Sequence, residues 1–366
     1  MSHADAANVR SPMVPARGVV ALRAWLLVVA GLVYATILVG GATRLTDSGL
    51  SITEWRPLLG AVPPLSDADW VEAFGKYQSM TAQFHLVNSD MTLEGFKSIY
   101  WWEWAHRQLG RVIGVVFLAP FLVFLAMRII PRSLLPHLAA LFCLGGLQGV
   151  IGWWMVASGV NSDLTSVAPY RLMVHFSLAL LIIAWSFWLW LELGDRRRVA
   201  DDATGGWAVA LLWVSAIQMM LGALVAGLDA GRGYTDWPMM AGRLVPEAMW
   251  ALDPWQRNLF ENEATTQFLH RMTAYGLLAL ALAAAWRFRR VRGVEFGTFA
   301  ALTLGQGALG VVTLLSAAPL PLALAHQALG TVLLLAAVRL VWCTRTLNSR
   351  ASGAVSGDVD KPRTRL

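Results

Sequence analysis

Four histidines carry the best chemistry in this sequence. His106, His175, His270 and His326 each lie in or beside a long apolar run. A polar ring in such a setting is costly and usually paired or functional. The remaining histidines sit elsewhere: His3 in a polar tail, His85 in a polar stretch, His137 where an apolar run begins. Two imidazoles facing each other across a helical bundle make a natural bis-axial site for haem iron. Zinc fits less well. It usually takes a fuller set of Cys or carboxylate ligands, and only Glu103 offers a carboxylate nearby.

Arginines accompany the histidines. Arg107 and Arg271 directly follow His106 and His270, Arg111 lies one turn beyond Arg107, and Arg171 lies four residues before His175. Guanidinium matches carboxylate geometry, so these are candidate partners for haem propionates at the aqueous edge of each site. Snorkelling to lipid headgroups is the alternative for each taken singly. Glu103 stands three residues before His106, on the same helix face. Its counterpart before His270 is Gln267. An ionisable acid beside one site and a neutral amide beside the other suits a reaction centre paired with a carrier site, because proton transfer is a common need at a reactive haem. An ion pair with Arg107 is the rival role for Glu103.

The elements that must place these residues are membrane helices. The chain is 57% hydrophobic and 14% charged, which excludes an ordinary soluble domain. Apolar runs of spanning length recur at about 20–42, 105–127, 135–157, 172–193, 207–227, 266–286, 297–316 and 322–342. The fold expected is an all-α polytopic membrane protein, with eight transmembrane helices in two pseudo-symmetric four-helix bundles. The first run is too long for a cleaved leader and reads as a retained helix. On this spacing each functional histidine falls within about one turn of the outward end of helix 2, 4, 6 or 8.

A net charge of +6 does not mean a nucleic-acid partner here. The basic residues cluster in alternate loops, as in Arg196–Arg198 and Arg287–Arg292, which is the positive-inside pattern. Both termini are then cytoplasmic, and segments 43–104, 158–171, 228–265 and 317–321 face outward. Cys143 and Cys343 fall inside helices and read as small apolar fillers rather than a disulfide.

The chain also repeats itself. "GGATRLTDSGLSITEW" (40–55) aligns on "GALVAGLDAGRGYTDW" (222–237), "WAHRQLG" (104–110) on "FLHRMTA" (268–274), "LQGVIG" (147–152) on "GQGALG" (305–310), and His175 on His326. Each half holds four helices and starts on the same side, so the repeat is parallel, about an axis along the membrane normal. The glycines at 145, 146, 149 and 152, and at 305, 307 and 310, are expected to permit close helix contact. The divisions expected are a cytoplasmic tail 1–19, an N-terminal bundle 20–194, a linker 195–206, a C-terminal bundle 207–343 and a disordered tail 344–366.

These residues resemble the haem A synthase family over about residues 20–343. The resemblance rests on "GGATRLTDSGLSITEWRPLLGAVPP" (40–64), "EWAHRQLGR" (103–111), His175–Phe176, "FLHR" (268–271) and "LAHQALG" (324–330). It implies an enzyme of the bacterial cytoplasmic membrane (or mitochondrial inner membrane) that oxidises the C8 methyl of haem O to a formyl group, giving haem A for cytochrome oxidase. It implies a resident haem b on His270 and His326, substrate haem on His106 and His175, and Glu103 as the essential acid. Haem O synthase, oxidase assembly factors and membrane lipid are the partners this suggests, and a homo-oligomer is left open. The cysteine pair that many members carry in the first outward loop is missing, which places the sequence with the cysteine-free subgroup. Two other classes compete: a di-haem electron-transfer protein, such as a quinol oxidoreductase subunit, with two permanent haems, and a transporter with broken helices near the midplane.

Overall fold

The computed structural model describes residues 16–194 and 202–344. Eight long helices dominate it: α1 (Ala16–Leu45), α2 (Leu93–Ala126), α3 (Leu135–Val156), α4 (Pro169–Glu192), α5 (Asp202–Gly227), α6 (Glu263–Arg287), α7 (Gly293–Leu315) and α8 (Leu320–Thr344). All eight are long and apolar enough to cross a membrane. Each is continuous, so the broken helices of the transporter reading are not found among the described residues. The divisions expected at 1–19, 195–206 and 344–366 fall largely on residues outside those described.

Packing follows the halves. Helix α1 packs against α2 and α4, and α3 packs against the same two. Helix α5 packs against α6 and α8, and α7 packs against the same two. Leu22, Leu26, Leu138 and Ile183 are among the buried residues of the first set; Leu211, Phe296 and Phe299 lie in the second. The halves meet where α4 touches α5 and α8, and where α1 touches α8. Lipid is as apolar as leucine, so such contacts rest on close packing and interhelical hydrogen bonds. Polar links among the described residues cross this seam: Gln327 Nε2 donates to Ile37 O (2.9 Å), Tyr34 Oη to Ala328 O (3.3 Å), and Arg44 reaches both Asp229 and Gly227 O.

Arg44 sits where the repeat is easiest to see. Asp47 and its counterpart Asp229 both adopt left-handed backbone, at φ 53° and 51°. Each turn closes the same way, Asp47 N to Arg44 O (3.2 Å) and Asp229 N to Ala226 O (3.4 Å). The buried Arg44 guanidinium holds both carboxylates, Asp47 at 3.0 Å and Asp229 at 2.6 Å. The equivalent position in the second half is Ala226, so one arginine serves two turns.

The segment 43–104 departs from the expected loop. It contains helices Asp67–Met80 and Ala82–Leu86, and α2 begins at Leu93 rather than at residue 105. The reason is an aromatic cluster: Trp70, Tyr77, Phe96 and Tyr100 are buried together. They give "LEGFKSIYWWEW" an amphipathic face that continues the helix before its lipid-crossing part. Ser66 and Asp69 form a reciprocal capping box at the start of the first short helix. Hydrogen bonds from Ser66 and Leu65 hold the Asp69 carboxyl below its ordinary value. That cap is therefore intact above the ordinary carboxylate pKa, and it is lost as pH falls through the lowered value.

Because α2 starts early, His106 is not within one turn of its helix end. His175, His270 and His326 also lie deeper than one turn from Pro169, Glu263 and Leu320. The glycine expectation needs a second correction. A Cβ at Gly145, Gly146, Gly149, Gly305 or Gly307 would meet nothing within 4 Å. These are not close helix contacts. Cys143 is exposed on α3 and Cys343 is buried on α8.

Candidate functional site

The four histidines form two pairs, one in each half. His106 and His175 have ring centroids 6.4 Å apart at 73°. His270 and His326 are 6.5 Å apart at 76°. A metal–imidazole bond is about 2 Å, so two such bonds in line plus the half-widths of the rings give a spacing of about 6 Å. The spacing of each pair is compatible with one ion held between the rings. Among the described residues no group of three or more His, Cys, Asp or Glu could complete a protein-only metal site. A planar macrocycle that brings its own four ligands fits this two-ligand arrangement.

Each ring is seated on a glycine of the preceding odd-numbered helix. A Cβ built on Gly40 would lie 2.6 Å from His106 Cε1, and one on Gly152 2.9 Å from His175 Cε1. The counterparts repeat this: Gly222 at 3.1 Å from His270 Cε1, and Gly310 at 2.8 Å from His326 Cε1. Any side chain at these four positions would press on the imidazole. One turn before each glycine stands a second residue aimed at the same ring. Gln148 Nε2 is 3.0 Å from His175 O and 3.4 Å from its Nε2. Gln218 Nε2 lies 3.0 Å from His270 Nδ1 and 3.2 Å from its Nε2; Gln306 Nε2 donates to His326 O (2.9 Å) and lies 3.1 Å and 3.4 Å from the two ring nitrogens. The fourth position is Thr36, whose hydroxyl donates to Leu32 O instead (2.8 Å). His106 Nδ1 and His175 Nδ1 are buried without a hydrogen-bond partner.

Beside each pair, an arginine and an acid or amide pin down the segment that precedes the even-numbered helix. Glu103 is 3% exposed. Its Oε2 accepts from Ser51 Oγ and Ile52 N, both at 2.8 Å, and its Oε1 accepts from Arg107 Nη2 at 2.6 Å. Arg107 also donates to Ile52 O (2.7 Å) and Glu54 O (2.9 Å). In the second half, Gln267 Nε2 donates to Ala230 O (2.6 Å) and Tyr234 O (3.0 Å), while its Oε1 accepts from Arg271 Nη2 (2.9 Å). Arg271 donates further to Tyr234 O, Asp236 O and Met239 O.

A scan against family models matches residues 23–338 to COX15-CtaA, described as cytochrome oxidase assembly protein. The chain belongs to this family. Proteins named heme A synthase are similar over nearly their whole length. One from Hyphomonas neptunium is 54% identical over 324 residues, covering 88% of this chain and 92% of that protein. One from Caulobacter vibrioides is 49% identical, covering 88% and 95%. One from Bradyrhizobium diazoefficiens is 48% identical, covering 94% and 96%.

In this COX15-CtaA member the geometry gives the Glu103/Gln267 difference a local meaning. The first segment offers donors, Ser51 Oγ and Ile52 N, and meets a carboxylate; the second offers carbonyls and meets an amide. Each residue matches the polarity of the segment above it. The arginines are similarly committed. Arg107 and Arg271 spend their Nη groups on protein oxygens, although Arg271 Nε is buried and unpartnered. Arg111 donates to Pro57 O (2.8 Å) and Arg56 O (3.1 Å). Arg171 donates to Trp154 O (2.8 Å) and stacks over its ring at 4.7 Å. Arg107 and Arg111 also line a cavity of about 240 Å³ under residues 51–64. The arginines thus fix the segments that precede or flank the histidine-bearing helices.

The glutamines and the ring-seating glycines were missed as functional residues in the sequence. Their signal is a four-fold spacing, "TILVG" (36–40), "QGVIG" (148–152), "QMMLG" (218–222) and "QGALG" (306–310), once on each odd-numbered helix.

Proposed function

We propose that this protein is a haem A synthase, oxidising a methyl group of haem O to the formyl group of haem A. The observation that carries the reading is one bis-histidine geometry built twice in unlike surroundings. His270 and His326 hold a resident haem b, and His106 and His175 take the substrate haem. The resident haem supplies one-electron redox chemistry when bound. The chain's own residues do the rest. The imidazoles orient each macrocycle, the glycine seats fix the ring planes, and residues 50–56 close over the substrate half through Glu103 and Arg107. The rim charge of Arg107, Arg111, Arg171 and Arg271 favours the propionate edge of a haem facing outward. The unpartnered Nε–H of Arg271 is the donor best placed to reach a carboxylate directly. Glu103 holds or passes a proton beside His106.

Equal ring spacing in the two halves is also what a di-haem electron carrier would have. Haem extraction and chromatography of the purified protein separates the two readings. A synthase holds haem B firmly and shows haem O or haem A in variable amount. Two equivalents of haem B and no haem O or A would establish the carrier instead.

The protein lies in the bacterial cytoplasmic membrane with both termini inside. Haem O synthase is the source of its substrate, and oxidase assembly factors receive its product. With Cys143 and Cys343 replaced by serine, Lys76→Cys should react with an impermeant maleimide added from outside. Reaction only after the cytoplasmic face is opened would reverse the topology.

A further inference from the structure

The two halves close differently between their second and third helices. In the second half α6 packs closely along α7, whereas α2 and α3 touch only sparsely. The apolar stretches of α2 and α3 are also less buried than those of α6 and α7. Side-chain size at matched positions explains this. Ala281 on α6 and Ala300 on α7 are 0% and 5% exposed, small enough for the two helices to meet. Their counterparts in the first half are Phe117 and Phe142. These two rings stack across the seam at 6.0 Å, prop α2 away from α3 and leave Phe142 41% exposed. Toward the histidines the sizes are reversed. Gly110 and Gly114 lie on α2 in the stripe that leads from His106 to Phe117, and Gly145 and Gly149 lie on α3 in the stripe that leads from Phe142 to Gly152. A Cβ on any of the four would meet nothing within 4 Å. Three of their counterparts are larger, Ala274, Leu278 and the buried Thr303.

The first half therefore has a groove between α2 and α3. Its floor is the stacked Phe117–Phe142 pair, its walls are glycine backbone, and its top reaches His106 and the seat of His175 at Gly152. From His106 to Phe117 the helix rises about 16 Å, comparable to an extended farnesyl chain. Haem O differs from haem B in carrying such a chain in place of one vinyl group. We propose that this groove is the subsite for the farnesyl chain of the substrate haem, open sideways to lipid, and that it sets the preference of the first half for haem O over haem B. The inference rests on the reading that His106 and His175 take the substrate haem. The prenylated macrocycle then enters from lipid and leaves into it with its chain lying in the seam, where glycines let the chain approach the helix backbone. In the second half Ala281 and Ala300 bring α6 and α7 together, and Leu278 and Thr303 fill the equivalent space. A macrocycle without the chain suits that half.

The test uses full-length protein purified from cells that lack haem O synthase, so that only the resident haem is present. It is titrated with haem O and, separately, with haem B, and binding is followed by the absorbance change. Wild type should bind haem O roughly tenfold or more tighter than haem B, because even small differences in filling an apolar pocket are worth that much. Gly114→Leu and Gly145→Thr copy the second-half residues and fill the groove. Each should weaken haem O binding roughly tenfold or more, leave haem B binding unchanged and keep the resident haem. If one variant fails to assemble, the other carries the same comparison, and the wild-type preference is read without either. Equal affinity of wild type for the two haems, an equal loss of both in the variants, or haem O binding that neither variant weakens overturns the proposal. Failure of the underlying reading looks different: His106→Ala would then leave the haem O titration as it is in wild type.

Discussion

Purified His326→Ala is expected to lack the low-spin b-type haem, and His270→Ala likewise. On the proposed function each variant would remove one of two iron ligands and leave a buried void beside a glycine, Gly310 or Gly222; among the described residues no cluster of three or more His, Cys, Asp or Glu supplies a replacement. Haem content should fall roughly tenfold or more. His85→Ala, in a short helix outside the spans, serves as the control and should keep wild-type haem. Gly310→Ala should copy His326→Ala in part, because its Cβ would sit 2.8 Å from His326 Cε1. An intact low-spin spectrum in both histidine variants would rule out this ligand pair.

The second large effect is on turnover. Glu103→Gln should leave the resident haem in place while haem O accumulates and haem A falls roughly 10²-fold or more, the low end of a lost acid–base group. The variant is not silent structurally. A glutamine oxygen can still accept from Ser51 and Ile52, but its NH₂ group then faces Arg107. A lost hydrogen bond to a charged group costs roughly 1.5–3 kcal/mol, which alone need not unfold the helix. Ser51→Ala separates the two roles, since it loosens the segment and keeps the carboxylate. Little loss in Ser51→Ala beside a large loss in Glu103→Gln supports the proton role. Equal losses would make Glu103 a pin for residues 50–56 and nothing more, and normal haem A from Glu103→Gln would remove it from the mechanism.

The eight spans were legible because a stretch of about 20 apolar residues has few other uses. The four histidines and Glu103 were legible because such side chains are rare in those stretches. The start of α2 was not. Residues 93–104 mix Lys97 and Glu94 with aromatics, and only the packing of Phe96 and Tyr100 on Trp70 and Tyr77 shows that they extend the helix. The glycines misled for a related reason. Gly149 and Gly152 look alike in sequence, yet one faces open space and the other an imidazole from the next helix. The glutamines went unread because an amide in an apolar run suggests a generic interhelical bond. Its aim at a ring nitrogen exists only once two helices are packed.

The matched placement of the two histidine pairs has an electrical consequence. His106 and His270 occupy equivalent positions, as do His175 and His326, in halves whose helices run the same way through the bilayer. The line joining the two pairs therefore runs along the plane of the membrane rather than through it. Moving one charge across a membrane costs about 2.3 kcal/mol for every 100 mV. Charge passed sideways between the pairs crosses none of that drop. Under the proposed function, exchange between the halves would proceed at the same free energy whether the cell is energised or not, and a transmembrane potential would neither drive nor oppose it.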